Sequence, residues 1–137
     1  MPRFDPREQV RALYAAMTRG DGGFLLDALA EDVEWCEPPG GVAPFGGVYR
    51  GREAVGRFFD ALGATVEEEA FEVREILAEG SVVIATGYYR HRVKRSGQSY
   101  ATDWVMVWRF RGEKVQRFEI YKDSATESLA VVGAVNR

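Results

Sequence analysis

The sequence predicts one small α+β domain, with helices first and a long antiparallel sheet after them. The chain has 137 residues, which fits a single domain over residues 1–137. Apolar residues recur at helical spacing up to residue 62, and residues 71–121 alternate at the spacing of strands. Hydrophobic residues make up 46% of the chain, which is enough for a folded core. Helices and strands separated in this way are typical of α+β proteins.

Three helices are predicted before the sheet. The first is capped by Asp5, has Pro6 at its first position and ends at Gly20. Asp21 can cap a short second helix, and the third is predicted over residues 52–62. Each helix carries one apolar stripe: Val10, Leu13, Tyr14 and Met17; Phe24, Leu25, Leu26 and Leu29; Val55, Phe58, Phe59 and Leu62.

Five strands are predicted, four of them in one meander. A short strand covers residues 33–36, and an irregular loop rich in proline and glycine follows over residues 37–47. Short turns containing glycine join the other four strands as antiparallel hairpins. These four strands cover residues 71–78, 82–93, 100–110 and 114–121.

The strand at residues 100–110 is apolar on both faces. One face carries Trp104, Met106, Trp108 and Phe110, and the other carries Val105 and Val107. A strand of this kind is buried on both faces. We therefore expect helices on one face and a second copy of the chain on the outer, convex face, which predicts a homodimer. A hetero-oligomer working through the convex face is the alternative.

Composition argues against several classes of partner. The net charge of −3 does not favour nucleic acid, and the basic residues 90–95 are explained by a solvated hairpin. One cysteine, Cys36, and one histidine, His91, cannot make a disulfide or a structural zinc site. The glycine pairs lack the spacing of a phosphate-binding or dinucleotide-binding loop, so no cofactor is predicted. No membrane span or signal peptide is apparent, which predicts a cytoplasmic protein.

Four segments carry a family resemblance. They are the break at Gly20-Asp21 and the runs at residues 31–35, 49–55 and 117–123. In these segments the chain resembles SnoaL-like proteins of the NTF2-like superfamily. The resemblance implies a cone in which a curved antiparallel sheet packs against three N-terminal helices around one central pocket. It does not fix the reaction, because the superfamily holds isomerases, polyketide cyclases, dehydratases, epoxide hydrolases and non-catalytic members.

Ketosteroid isomerase is the member that can be compared residue by residue. Residues 32–38 resemble its segment that ends in the general base followed by proline, which places Glu37 on the base. The same match places Leu13 at one of that enzyme's two oxyanion donors, with Tyr14 about 100° around the helix, and counting back from residues 108–110 places Met106 at the other. Without those donors an enolate loses several kcal/mol of stabilisation. The resemblance therefore implies a protein that is not a steroid isomerase of the known type.

Three residues are candidates for catalysis. Glu37 can act as general base, and the alternative is a solvated loop carboxylate. His91 can be a proton shuttle or ligand donor, although a histidine at a strand end is often a surface group. Asp123 follows the last strand, and SnoaL-type cyclases use an aspartate as acid–base catalyst. A salt bridge or a helix cap over residues 124–129 is the alternative for Asp123.

Seven side chains are candidates for binding a flat, hydrophobic ligand, and plain core packing is their alternative. They are Tyr14, Trp35, Tyr89, Trp104, Met106, Trp108 and Tyr121. Two functions follow. The first is a cofactor-independent isomerase, cyclase or dehydratase-type enzyme that uses Glu37 on a small hydrophobic carbonyl compound. The second is a non-catalytic ligand-binding or accessory protein with the same pocket.

Overall fold

The computed structural model describes residues 3–38 and 46–132. Residues 39–45, most of the predicted loop, lie outside the described part. The helices and strands in the described ranges are, in chain order, α1 (Pro6–Thr18), α2 (Gly22–Asp27), β1 (Leu29–Glu37), β2 (Gly47–Arg50), α3 (Arg52–Thr65), β3 (Val66–Glu79), β4 (Val82–Val93), β5 (Ser99–Arg111), β6 (Lys114–Lys122) and α4 (Ser124–Val132).

The strands form one curved sheet that does not close into a barrel, in the order β2-β1-β6-β5-β4-β3. The meander from β3 to β6 is antiparallel, as predicted. The sheet as a whole is mixed, because β6 returns beside β1 and runs parallel to it. Register shifts in β3, between Glu68 and Ala70 and between Val73 and Glu75, are bulges of the kind that bend a sheet. The α+β class is confirmed, and the purely antiparallel sheet is corrected to a mixed one.

Several elements are longer than predicted, strand β2 was not predicted, and helix α4 covers residues 124–129, where a helix was the alternative. Strand β3 begins at Val66, before the acidic run that follows it. Arginines of β4 explain this, since Glu67 pairs with Arg92 at 3.0 Å and Glu69 with Arg90 at 3.1 Å across the two strands. Cross-strand pairs of opposite charge stabilise antiparallel strands. Strand β2 and helix α4 complete the described elements, so the sheet has one more strand than expected and there is a fourth helix.

The main core lies between the sheet and the helices. The predicted inward face of β5 is buried throughout, and Trp104 and Trp108 are among the least exposed side chains. On the opposite face Val107 is buried and Val105 is 38% exposed. That convex face also carries other exposed apolar side chains, namely Leu77, Ile84 and Tyr121. None of the helices in the described ranges is long and apolar enough to cross a membrane.

Candidate functional site

A pocket of about 620 Å³ lies between the inner face of the sheet and helices α2 and α3. Aromatic and aliphatic side chains form much of its wall. They include Trp35, Phe59, Phe71, Met106 and Phe118. The volume falls in the range of small-molecule sites, which combine an apolar wall with a few polar groups.

An ion cluster formed by Glu37, Lys122 and Glu127 contributes to the pocket wall. Lys122 Nζ lies 3.3 Å from Glu37 Oε1 and 3.1 Å from Glu127 Oε1. The three side chains are between 2% and 5% exposed. Burying charges is costly unless they are paired and hydrogen-bonded, and a central cation between two carboxylates meets that need.

Neutral donors complete the cluster. Trp35 Nε1 donates to Glu37 Oε2 at 3.1 Å. The hydroxyls of Tyr89 and Tyr100 donate to Glu127 Oε2 at 3.0 and 3.1 Å. The contact of Glu37 Oε1 in the cluster is the Lys122 ammonium at 3.3 Å. Glu127 Oε2 accepts from three donors, so Glu37 Oε1 is the carboxyl oxygen with more acceptor capacity left.

The environment of Glu37 shifts the pKa of its carboxyl. Burial raises the pKa of the carboxyl above its ordinary value, and the nearby Glu127 charge adds to the increase. The positive charge and hydrogen bond of Lys122 oppose it, and burial prevails. A carboxyl with a raised pKa is better matched to proton transfer near neutral pH than one in water.

Three elements bring the cluster together. Strand β1 carries Glu37 at its end, beside the parallel strand β6 that carries Lys122. Helix α4 starts directly after β6 and turns Glu127 back over the strand ends. Lys122 and Glu127 were not predicted as site residues. Side chains two residues apart point to the same face of a strand. Lys122 lies two and four residues after the buried Ile120 and Phe118, so this alternation indicates that Lys122 points inward.

Tyr121 and Asp123, the predicted site residues on either side of Lys122 in the sequence, lie outside the pocket wall. Tyr121 is 56% exposed on the convex face and donates to Glu119 Oε2 at 2.7 Å. Asp123 is exposed and accepts from the Thr126 amide at 3.0 Å, as a helix cap does. Hydrogen bonds from Thr126 lower the pKa of Asp123. The structure does not bring Tyr121 or Asp123 to the pocket, because side chains alternate along the strand and Lys122 takes the inward position.

The predicted aromatic residues divide into two groups. Trp35, Tyr89, Met106 and His91 are part of the pocket wall. Tyr14, Trp104 and Trp108 instead pack together beside the wall, with the Tyr14 ring within 6 Å of both indoles.

The hydroxyl of Tyr14 is used within this packing. It donates to Met106 Sδ at 3.2 Å and accepts from Trp108 Nε1 at 3.0 Å. Burial raises the pKa of Tyr14, which keeps it a neutral hydroxyl. These contacts match the packing alternative for Tyr14.

His91 is buried and lies against the tyrosines of the cluster. Its ring stacks on Tyr89 with 4.1 Å between centroids, and Nδ1 is 3.2 Å from the Tyr100 hydroxyl. Burial, and then the positive charge of Lys122, lower the pKa of His91 to about 4. The imidazole is therefore uncharged at neutral pH.

This pKa predicts acid sensitivity. The unfolded chain binds a proton at His91 below about pH 6.5, and the folded chain binds it only below about pH 4. Acidification through that window favours the unfolded state by about 3 kcal/mol in all. Glu37 acts in the opposite sense, because its raised pKa penalises the folded state as pH rises. Other groups around the ring are ionisable: Glu68, Glu69, Tyr89, Tyr100, Lys122 and Glu127.

His91→Phe separates this effect from the others. We expect the wild type to lose stability relative to His91→Phe as pH falls from 6.5 to 4, measured by urea unfolding at each pH. A constant difference between the two proteins over this range would contradict the lowered pKa.

No group of three or more His, Cys, Asp or Glu side chains within residues 3–38 and 46–132 is arranged to hold a metal ion.

The chain is similar to a known domain family and to several solved structures. Residues 10–118 match the model of the SnoaL-like domain. None of the curated proteins matches the chain. A solved NTF2-like protein from Burkholderia xenovorans LB400 is 32% identical, with a TM-score of 0.84 over 96% of this chain and 98% of that one.

Two further solved structures are similar over the same extent. An NTF2-like protein of unknown function from Burkholderia pseudomallei K96243 is 28% identical, with a TM-score of 0.84 over 93% of this chain and 98% of that one. TerC, co-crystallised with polyporic acid, is 25% identical, with a TM-score of 0.82 over 93% of this chain and 98% of that one. The family resemblance expected from the four sequence segments is thus confirmed.

Proposed function

Because the chain belongs to the SnoaL-like domain family, whose fold is shared by proteins described as polyketide cyclase-like and ketosteroid isomerase-like, we propose an acid–base enzyme. The pocket binds a small hydrophobic carbonyl compound, and Glu37 transfers a proton at the carbon next to the carbonyl. The reaction is an isomerisation, a cyclisation or a dehydration and uses no cofactor. The observation that carries the proposal is a buried carboxyl with a raised pKa in the wall of a largely apolar pocket.

Glu37 is held in a way that suits proton transfer. Trp35 fixes Oε2 by a hydrogen bond of 3.1 Å, so the carboxyl cannot rotate freely. Oε1 keeps acceptor capacity and is the oxygen that takes the proton. Proton transfer next to a carbonyl is more efficient when the pKa of the base lies nearer the working pH, and the raised pKa of Glu37 is a shift in that direction.

Lys122 supplies the positive charge that this chemistry also needs. The resemblance to ketosteroid isomerase places Leu13 and Met106 at the two positions of its oxyanion donors, and neither side chain can donate a hydrogen bond. An enolate oxygen forming near the cluster is stabilised by the ammonium of Lys122, which is preorganised between two carboxylates. Tyr89 and Tyr100 are committed to Glu127 and serve to hold the cluster.

Glu37→Gln is the direct test. The amide keeps the shape and the bond from Trp35 but cannot take a proton, so we expect turnover to fall by at least about 100-fold while binding is kept. Substrates are drawn from a panel of hydrophobic carbonyl compounds, and polyporic acid is included because it was co-crystallised with TerC. Turnover that is unchanged in Glu37→Gln would remove Glu37 from the mechanism.

Glu34→Gln is the matched control for this experiment. Glu34 lies on the same strand, three residues away, and pairs with Arg117 at 2.6 Å outside the pocket. We expect its replacement to leave turnover within about twofold of the wild type, because Glu34 is not part of the pocket wall and its ion pair is only half-buried. An equal loss in both variants would point to a general effect of charge on the fold.

A binding or accessory role without chemistry is the second candidate. It is favoured by the loss of both isomerase donors at Leu13 and Met106, and by the use of the Tyr14 hydroxyl within the core. Compounds that raise the melting temperature of the protein would then be recovered unchanged after incubation. Conversion of any of them to product would exclude this candidate.

We also propose that two copies of the chain associate through the convex face. Val105 and Tyr121 are exposed there, next to the pair of Arg109 and Glu119 at 2.8 Å. An apolar patch bordered by both signs of charge can be self-complementary in a two-fold contact. Sedimentation at micromolar concentration should show twice the mass of one chain, and Val105→Asp should sediment as a monomer. Leu129→Asp, which changes an exposed side chain on α4, is the control and should remain dimeric.

A further inference from the structure

We propose that a hydrogen-bond chain from Glu127 through Tyr100 fixes His91 as its Nδ1–H tautomer, so that Nε2 accepts a hydrogen bond from a hydroxyl group of the ligand. The inference rests on the proposed function of the pocket and adds a ligand class to it. That class is flat hydroxylated compounds, phenols or enols, whose hydroxyl lies against His91 while the apolar body contacts the aromatic wall.

The proton of Tyr100 decides the tautomer. The hydroxyl has one proton and lies 3.1 Å from Glu127 Oε2 and 3.2 Å from His91 Nδ1. A hydrogen bond to a carboxylate is charge-assisted and stronger than one to an imidazole nitrogen. The proton of Tyr100 therefore goes to Glu127.

Glu127 is fixed where it can receive that proton. It is 1% exposed, and both Tyr89 and Lys122 donate to Oε2, the oxygen that also accepts from Tyr100. The carboxylate is thus held by three donors from β4, β5 and β6. Rotation away from Tyr100 would break two other buried bonds, which is costly.

His91 must then donate to Tyr100. With its proton directed at Glu127, the Tyr100 oxygen can only accept, and the contact at 3.2 Å requires hydrogen on Nδ1. An uncharged imidazole carries one hydrogen, so Nε2 keeps its lone pair. Burial and the charge of Lys122 hold the pKa of His91 at about 4, so this form persists at neutral pH. His91 is part of the pocket wall, and the proposal assigns the donor to Nε2 to a ligand hydroxyl in that pocket.

Nitrogen NMR measures the tautomer directly. His91 is the only histidine of the sequence, so the untagged protein gives one imidazole signal set. At pH 7 we expect the Nδ1–H pattern in the wild type and in Tyr89→Phe, which removes a donor to Glu127 without touching the contact between Tyr100 and His91. Tyr100→Phe should shift the population toward Nε2–H. An Nε2–H pattern in the wild type would overturn the inference.

Binding tests the ligand class. Calorimetry with 2-naphthol and its methyl ether should show 2-naphthol bound about threefold to tenfold more tightly, the range of one neutral hydrogen bond. His91→Phe, which keeps the ring stacking, should lose this preference, and Glu37→Gln should keep it. Equal affinities in the wild type, or no binding of either compound, would contradict the hydroxyl class. Turnover lost in Glu37→Gln would still support the proposed function in that case, so the two failures can be told apart.

Discussion

Gly87→Ala should lower the free energy of unfolding by about 3 kcal/mol or more, one of the two largest effects expected in this chain. Gly87 on β4 faces Trp104 on β5, and the indole packs against the glycine where a side chain would stand. A methyl group at Gly87 would overlap the Glu72 carbonyl oxygen and the Trp104 ring. Neither can move easily, because the oxygen belongs to the backbone of β3 and Trp104 is 1% exposed.

Gly63→Ala is the matched control with the opposite expected sign. Gly63 lies in α3, and nothing stands within 4 Å of a Cβ built there. Alanine in a helix is favoured over glycine, so we expect a gain of about 0.5–1 kcal/mol. Urea unfolding followed by tryptophan fluorescence measures both variants. A Gly87→Ala protein as stable as the wild type would show that Trp104 has room to shift.

Lys122→Met should lower the free energy of unfolding by about 3–5 kcal/mol at pH 7. The change leaves Glu37 and Glu127 buried without the cation that lies 3.3 and 3.1 Å from them. Uncompensated buried carboxylates are destabilising until they bind protons. The pKa of Glu37 is already raised from its ordinary value of 4.5. The loss of stability in Lys122→Met should therefore grow as pH rises above 4.5, where the unfolded chain releases its protons, and shrink below it.

Lys114→Met separates the cluster from the loss of any lysine. Lys114 begins the same strand, is exposed, and donates to the Asp27 carbonyl. Its replacement should cost no more than about 0.5–1 kcal/mol, with no comparable dependence on pH. A double variant, Lys122→Met with Glu127→Gln, should recover part of the stability because one of the two buried carboxylates left without a cation is removed. Equal stability of Lys122→Met and Lys114→Met would contradict the role of the cation.

Local signals in the sequence were sufficient for much of the fold. Asp5 and Asp21 accept from amides in the first turns of α1 and α2, as their positions before apolar stripes predicted. Alternation in β5 placed Trp104 and Met106 on the buried face. These features depend on neighbours within a few residues, so periodicity and capping chemistry reveal them.

Long-range contacts were less visible in the sequence. The parallel pairing of β1 with β6 joins segments about 80 residues apart, and no local pattern specifies it. Strand β3 starts in an acidic run that alone favours solvent, and the arginines of β4 are what make it a strand. Here tertiary partners override local propensity.

The features of the pocket also divide into those that local sequence patterns indicate and those that depend on long-range contacts. The sequence by itself determined the family, the helix-then-meander order and a carboxyl at position 37, because these depend on local pattern and on matched segments. Only the tertiary structure decided that Lys122 and Glu127 join Glu37, and that Tyr121 and Asp123 point away. The reason is physical: charged side chains are solvated by default, and their burial becomes favourable only when partners from β1, β6 and α4 meet in space.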